Sequence, residues 1–211
     1  MIYSRWKQNF AKPGTFWGNS LVFQKMEKHH RPLQEFAMQH FNIPRQGKIL
    51  DIGCGGGVFI AEMLKRAPKA SFCGVDHSPL SVKKSRAYNC KAVKSGNVTI
   101  VEGSVSSLPL RDGEFDVATA SETVYFWPDI VNDFREVHRI LKPGGDFVIC
   151  CDTCDREAAK KNIDMIKGMS VYSIEELVDF LNQAGFRDSV QHYDPQSGMI
   201  CVIGSKEALK S

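Results

Sequence analysis

Apolar residues along this chain follow two different periods. Short, nearly continuous apolar runs stand at 49–52, 71–75, 98–101, 115–120 and 146–151. Runs of that length, bounded by turn-forming residues, read as strands buried on both faces. Between them the apolar positions shift to helical spacing. Phe59, Ile60, Met63, Leu64 and Ala67 recur until Pro68 stops the pattern, and Ile130, Phe134, Val137 and Leu141 make a second stripe. A third stripe holds Ile174, Leu177, Val178 and Leu181, opened by a Ser173/Glu176 capping box and closed by Gly185. Helices are thus expected from the glycine turn to Arg66, from Pro79 to about Val93, from Pro128 to Leu141 and from Ser173 to Gly185.

The two ends of the chain differ from this middle. Residues 1–18, rich in aromatics and broken by Pro13-Gly14 and Gly18, read as an irregular arm. Two helical segments follow, Leu21–His30 and Pro32–Phe41, the second with proline at its permitted first position. Asp155–Met169 suggests a helical lid segment, and Gln191–Tyr193 with Met199–Ser205 flank a turn as a closing hairpin. Strand and helix alternating with short connections predict an α/β fold: a mostly parallel sheet covered on both sides. We divide the chain into an arm with cap helices over 1–45 and one α/β domain over 46–211.

The densest signal is Lys48-Ile49-Leu50-Asp51-Ile52-Gly53-Cys54-Gly55-Gly56-Gly57, a buried strand running into a turn that a Cβ would obstruct. In open α/β sheets the ligand binds at such strand ends. The spacing is not that of a dinucleotide site: from Gly53 the last G-x-G-x-x-G place holds Val58, and from Gly55 it holds Ile60. No Gly-Lys-Ser/Thr closes the turn, so it is not a phosphate loop either. A carboxylate at the mouth would repel pyrophosphate and suit an ammonium group.

Four motifs in order resemble one family, the class I S-adenosylmethionine-dependent methyltransferases, in the small-molecule branch similar to ubiquinone and menaquinone C-methyltransferases. They are Asp51-x-Gly53-x-Gly55-x-Gly57, Val75-Asp76-His77-Ser78, Leu108-Pro109-Leu110…Phe115-Asp116 and Leu141-Lys142-Pro143-Gly144-Gly145. The resemblance implies a Rossmann-like seven-stranded sheet whose last strand is antiparallel, with an N-terminal helical cap. It also implies S-adenosyl-L-methionine as cofactor, S-adenosyl-L-homocysteine as product, and a small-molecule acceptor. The cofactor would meet Asp51, Gly53, Cys54, Gly55, Asp76, His77, Ser104, Val105 and Ser121. Among these, Asp51 faces the amine and Asp76 accepts from both ribose hydroxyls. Ser104 and the Val105 amide face adenine, with serine where family members often carry Asp.

Methyl transfer needs alignment, exclusion of water and, for some acceptors, loss of a proton. Candidates lie after the fourth strand: Glu122 as base or hydrogen-bonding partner, and Tyr125, Phe126 and Trp127 as aromatic walls for an apolar or cationic substrate. His29 and His30 could reach over the pocket as a base, and His29 is taken with Glu122 and Tyr125 as the catalytic set. Ser121-Glu122-Thr123-Val124 does not resemble the Asn/Asp-Pro-Pro-Tyr/Phe of enzymes that methylate nucleic-acid amines. With a net charge of only +3 this speaks against nucleic acid.

No apolar run reaches the ~20 residues that cross a bilayer, and Met1–Lys7 lacks a signal core. A cytoplasmic monomer or homodimer without membrane insertion is expected. Seven cysteines then read as reduced thiols, with Cys54, Cys73 and Cys90 packed inside. Cys151-x-x-Cys154 lacks a second ligand cluster, so no metal is expected. The rival readings are a cofactor-binding regulatory or scaffold protein without turnover and a nicotinamide-dependent oxidoreductase.

Overall fold

The computed structural model describes residues 19–166 and 168–209, with side chains from His30 onward except at Lys161. The arm over 1–18 lies outside the described residues. Strands β1 (Lys48–Ile52), β2 (Ser71–Asp76), β3 (Val98–Glu102), β4 (Phe115–Ser121), β5 (Leu141–Cys151), β6 (Arg187–Tyr193) and β7 (Ile200–Ser205) form one sheet. Its order is β3-β2-β1-β4-β5-β7-β6, with β7 antiparallel to both neighbours and the other pairings parallel. The expected mostly parallel sheet with an antiparallel last strand is what forms.

Side chains alternate between two cores, as a strand's period requires. On β5, Phe147, Ile149 and Cys151 face one side and Val148 and Cys150 the other. Helices α5 (Ile130–Ile140) and α7 (Ile174–Gln183) cover the first face; α1 (Asn19–His40), α2 (Val58–Arg66) and α3 (Pro79–Tyr88) cover the second. The capping box at Ser173/Glu176 forms as the sequence predicts, and Ser78 caps α3. Helix α6 (Arg156–Met165) occupies the middle of the expected lid segment, capped by Asp155.

Several boundaries differ from the sequence reading. The front segments are one helix, Asn19–His40, with Pro32 inside it. Proline forfeits a backbone bond there, but Leu33, Ala37, Met38 and Phe41 are buried against the sheet and hold the helix through it. The helix expected to reach Val93 stops at Tyr88, and a short α4 (Cys90–Lys94) follows. Asn89 causes the break, donating from its side chain to the carbonyls of Gly57 and Ser85. Cys90 is therefore exposed, not packed, whereas Cys54 and Cys73 are buried as expected. Strand β5 starts at Leu141, because pairing with Phe115 recruits the Lys-Pro-Gly-Gly turn through a register shift. Pairing with β7 likewise extends β6 back to Arg187. Among the described residues no helix is long and apolar enough to cross a membrane.

An aromatic block anchors the first face. Phe147 lies 5.2 Å from Phe134, 6.0 Å from Trp127 and 5.7 Å from Phe186 between ring centroids. It is fully buried. Phe147→Ala should lower unfolding free energy by about 3–5 kcal/mol in urea titration, with the denaturant slope unchanged.

Candidate active site

Beyond Ile52 the chain turns through three glycines in the left-handed region, Gly53 (φ 74°), Gly55 (φ 51°) and Gly57 (φ 81°). The Gly53 and Cys54 N–H groups donate to Val75 O at 2.7 and 3.1 Å, tying the turn to β2. A Cβ on Gly53 would stand 2.8 Å from the Thr123 side chain, and one on Gly57 2.3 Å from Ser85 Oγ. These two glycines exist for close packing. A Cβ on Gly55 would meet nothing nearer than Gly53 O at 4.0 Å, and the space above it is a cleft of about 180 Å³.

Two acids flank that space. Asp76 ends β2, its Oδ2 accepting from Gly55 N–H at 2.9 Å and its Oδ1 from Ser78 N–H at 2.8 Å. Each oxygen has a second lone pair for a ligand hydroxyl, so fixing the turn into α3 and reading a sugar are compatible. Asp51 is 3% exposed, and its Oδ1 accepts from Thr119 Oγ1 at 2.8 Å. Burial pushes its carboxyl up to about 7; the Thr119 bond opposes the rise and the Asp76 charge adds to it.

Adjacent to these lie the exposed His77, whose Nδ1 is 3.9 Å from Asp76 Oδ1, and Ser104 and Val105. The Ser104 hydroxyl accepts the Ser106 N–H at 3.3 Å, so it also closes its own loop.

The far wall is built from β4, β5 and α1. Ser121 ends β4, and Glu122 follows with φ 57°, strained for a residue with a Cβ. Its Oε1 accepts from Asp152 N–H at 2.6 Å and Tyr125 Oη at 3.0 Å. Its Oε2 lies 3.9 Å from His30 Nε2. Burial, then the Asp152 charge, raise the Glu122 carboxyl to about 8, against the lowering by its two hydrogen bonds. Gln34, one turn beyond His30 on α1, is 8% exposed, and its Oε1 has no hydrogen-bond partner among the described residues. An acid at each end and a bare-backbone cradle between them suit a ligand bearing an ammonium and a ribose.

The profile of a family described as methyltransferase domain matches residues 50–149. The chain is thus similar to class I S-adenosylmethionine-dependent methyltransferases. The ubiquinone/menaquinone biosynthesis C-methyltransferase UbiE of Geobacter sp. (strain M21) is 25% identical over 189 residues, covering 84% of this chain and 78% of that one. Among solved structures, an S-adenosylmethionine-dependent methyltransferase from Aquifex aeolicus shares the fold at TM-score 0.73 and 18% identity, over 87% of this chain and 96% of that one. The geranyl diphosphate C-methyltransferase of Streptomyces coelicolor A3(2), solved with S-adenosyl-L-homocysteine, aligns at TM-score 0.69 and 14% identity over 82% and 74%.

All nine residues expected to meet the cofactor line the one cleft. Glu122 lines it too. Tyr125 does not: its ring is buried and its hydroxyl serves Glu122, so it positions that carboxylate and is not an aromatic wall. Phe126 and Trp127 do border the cleft. Trp127 also stacks on Phe147 and donates from Nε1 to Thr123 Oγ1 at 2.8 Å. The His29 side chain lies outside the described residues; His30 stands at the cleft. Sequence reasoning passed over Gln34, Thr119 and Asp152. The strand-end rule that found Asp51 and Asp76 also points to Asp152, directly after β5.

The two glycines should respond differently to one methyl group. Gly53→Ala, which collides with Thr123 at a positive φ, should lower stability well beyond the ~1–3 kcal/mol that left-handed strain alone costs. Gly55→Ala should show only that strain. Thermal unfolding of both variants beside the parent measures the contrast.

Proposed function

We propose that this chain transfers the methyl group of S-adenosyl-L-methionine to a small-molecule acceptor in the cleft and releases S-adenosyl-L-homocysteine. The observation that carries the reading is the pairing of Asp51 and Asp76 across the open space above Gly55. Asp51 would hold the amino group, Asp76 the ribose hydroxyls, the Gly53–Gly55 backbone the amino-acid arm, and Ser104 with Val105 the adenine edge. The cofactor supplies an already activated methyl on a sulfonium. The protein's part is to bind, orient and keep water out.

On the acceptor side, Phe126 and Trp127 offer apolar surface, while Glu122 and His30 form a polar floor. Tyr125 and the Asp152 amide fix the Glu122 carboxylate. A small acceptor agrees with the names of two similar proteins, a quinone-biosynthesis C-methyltransferase and a geranyl diphosphate C-methyltransferase. The test is to incubate the protein with methyl-labelled cofactor and a cell extract, then find the labelled product by mass spectrometry. Labelled product with S-adenosyl-L-homocysteine is expected. Cofactor binding without any labelled product would instead indicate a binding protein, and copurifying nicotinamide nucleotide an oxidoreductase.

Two quantitative expectations follow for calorimetry. Asp76→Asn should weaken cofactor binding at least tenfold, since a hydrogen bond to a charged group is worth about 1.5–3 kcal/mol. In the free protein Asp51 stays largely protonated below about 7. An ammonium ligand needs the ionised form, so binding releases a proton there. Affinity should therefore fall about tenfold per pH unit below 7 and level off above it. Asp51→Asn should bind more weakly and lose this slope.

A further inference from the structure

Three side chains able to ligate a metal come together from three separate elements, two of them lining the acceptor side of the cleft. His30 comes from α1, Glu122 from the loop after β4, and Asp152 from the residue after β5. One ligand atom of each lies within 4.8 Å of the other two, with His30 Nε2 and Glu122 Oε2 3.9 Å apart. Around an ion with bonds of about 2.1 Å, donors stand about 3.0–4.2 Å from one another. To share one ion the three donors would draw together by up to roughly 1 Å.

The surroundings favour ligation. Glu122 is held through Oε1 by Tyr125 Oη and Asp152 N–H, the outer-shell fixing that ligating carboxylates receive. That leaves Oε2 on the His30 side. The independent sign is Gln34: it is 8% exposed, lines the same cleft one helical turn from His30, and its Oε1 has no partner among the described residues. A buried amide oxygen without a hydrogen donor, in the cleft that His30 and Glu122 also line, is what a cation would satisfy.

The geometry points to a divalent metal site formed by His30, Glu122 and Asp152, with Gln34 as a neutral oxygen donor beside it. One imidazole with oxygen ligands suits a first-row ion such as Mn²⁺ better than a thiolate-seeking one. The protein ligands leave coordination positions open toward the cleft, where an acceptor bearing a hydroxyl, enol or other anionic oxygen could bind. A metal lowers the pKa of such an oxygen. Cysteine and histidine spacing along the chain gave no sign of it, because every ligand is separated in sequence.

The site goes beyond the methyltransferase reading and is tested without turnover. Mn²⁺ is titrated into chelator-treated protein and the free ion followed by electron paramagnetic resonance. One ion per chain at micromolar concentration is expected, with affinity reduced at least about tenfold in His30→Ala and in Asp152→Asn. Glu122→Gln should do the same; if it fails to fold, the other two variants decide. Variants whose thermal unfolding matches the parent but whose Mn²⁺ binding is lost support the site. Parent protein that leaves Mn²⁺ free at about 1 mM, or variants that bind as tightly as the parent, would overturn it. Cofactor affinity measured on the same samples separates the two ideas, since either can fail alone.

Discussion

A sheet buried on both faces has no room for charge except at the ends of its strands, and this constraint organises the molecule. The two ends solve it differently. At the amino ends the acids are neutralised: Asp116 accepts from Lys48 N–H and the Lys142 ammonium at 2.7 and 2.8 Å, and Glu114 pairs with the Lys48 ammonium. At the carboxyl ends Asp51 and Glu122 pair with no lysine or arginine among the described residues. Their raised carboxyls, to about 7 and about 8, are the cost of that arrangement. A ligand carrying positive charge would offset it at the carboxyl ends, where at the amino ends lysines already do.

Left-handed backbone recurs around the cleft. Gly53, Gly55 and Gly57 lie in the left-handed region, and so does Glu122, which has a Cβ. For a residue with a Cβ, such a conformation persists only where the surroundings over-determine it. Here the surroundings are identifiable: Val75 O takes two N–H groups of the turn, Asp76 takes a third, and Asp152 N–H with Tyr125 Oη pins Glu122. The same bonds that hold the strain orient the groups proposed to meet ligand, so the ligand finds them already in place.

Helix α1 completes the enclosure. Its apolar residues are buried against the second face of the sheet, which carries His30 and Gln34 to the mouth of the cleft. Pro32 between them is tolerated because packing, not propensity, supports the helix. The proposed metal site depends on this docking, since its imidazole comes from α1 and its carboxylates from the sheet.

The periods of apolar residues, read alone, determined the alternation of strand and helix, the parallel sheet and the closing hairpin, because each element must present apolar faces of its own period. Asp51, the three glycines and Asp76 were legible for a related reason: a strand end, a tight turn and a following cap are local features with short spacing. The boundary errors at Pro32, Asn89 and Leu141 arose where a distant partner outweighed local preference. Tyr125 illustrates the limit most clearly, since Phe126 and Trp127 beside it border the cleft while its own hydroxyl turns inward to Glu122. Only the tertiary structure could bring His30, Glu122 and Asp152 together, because residues far apart in the chain meet through packing that no spacing along it encodes.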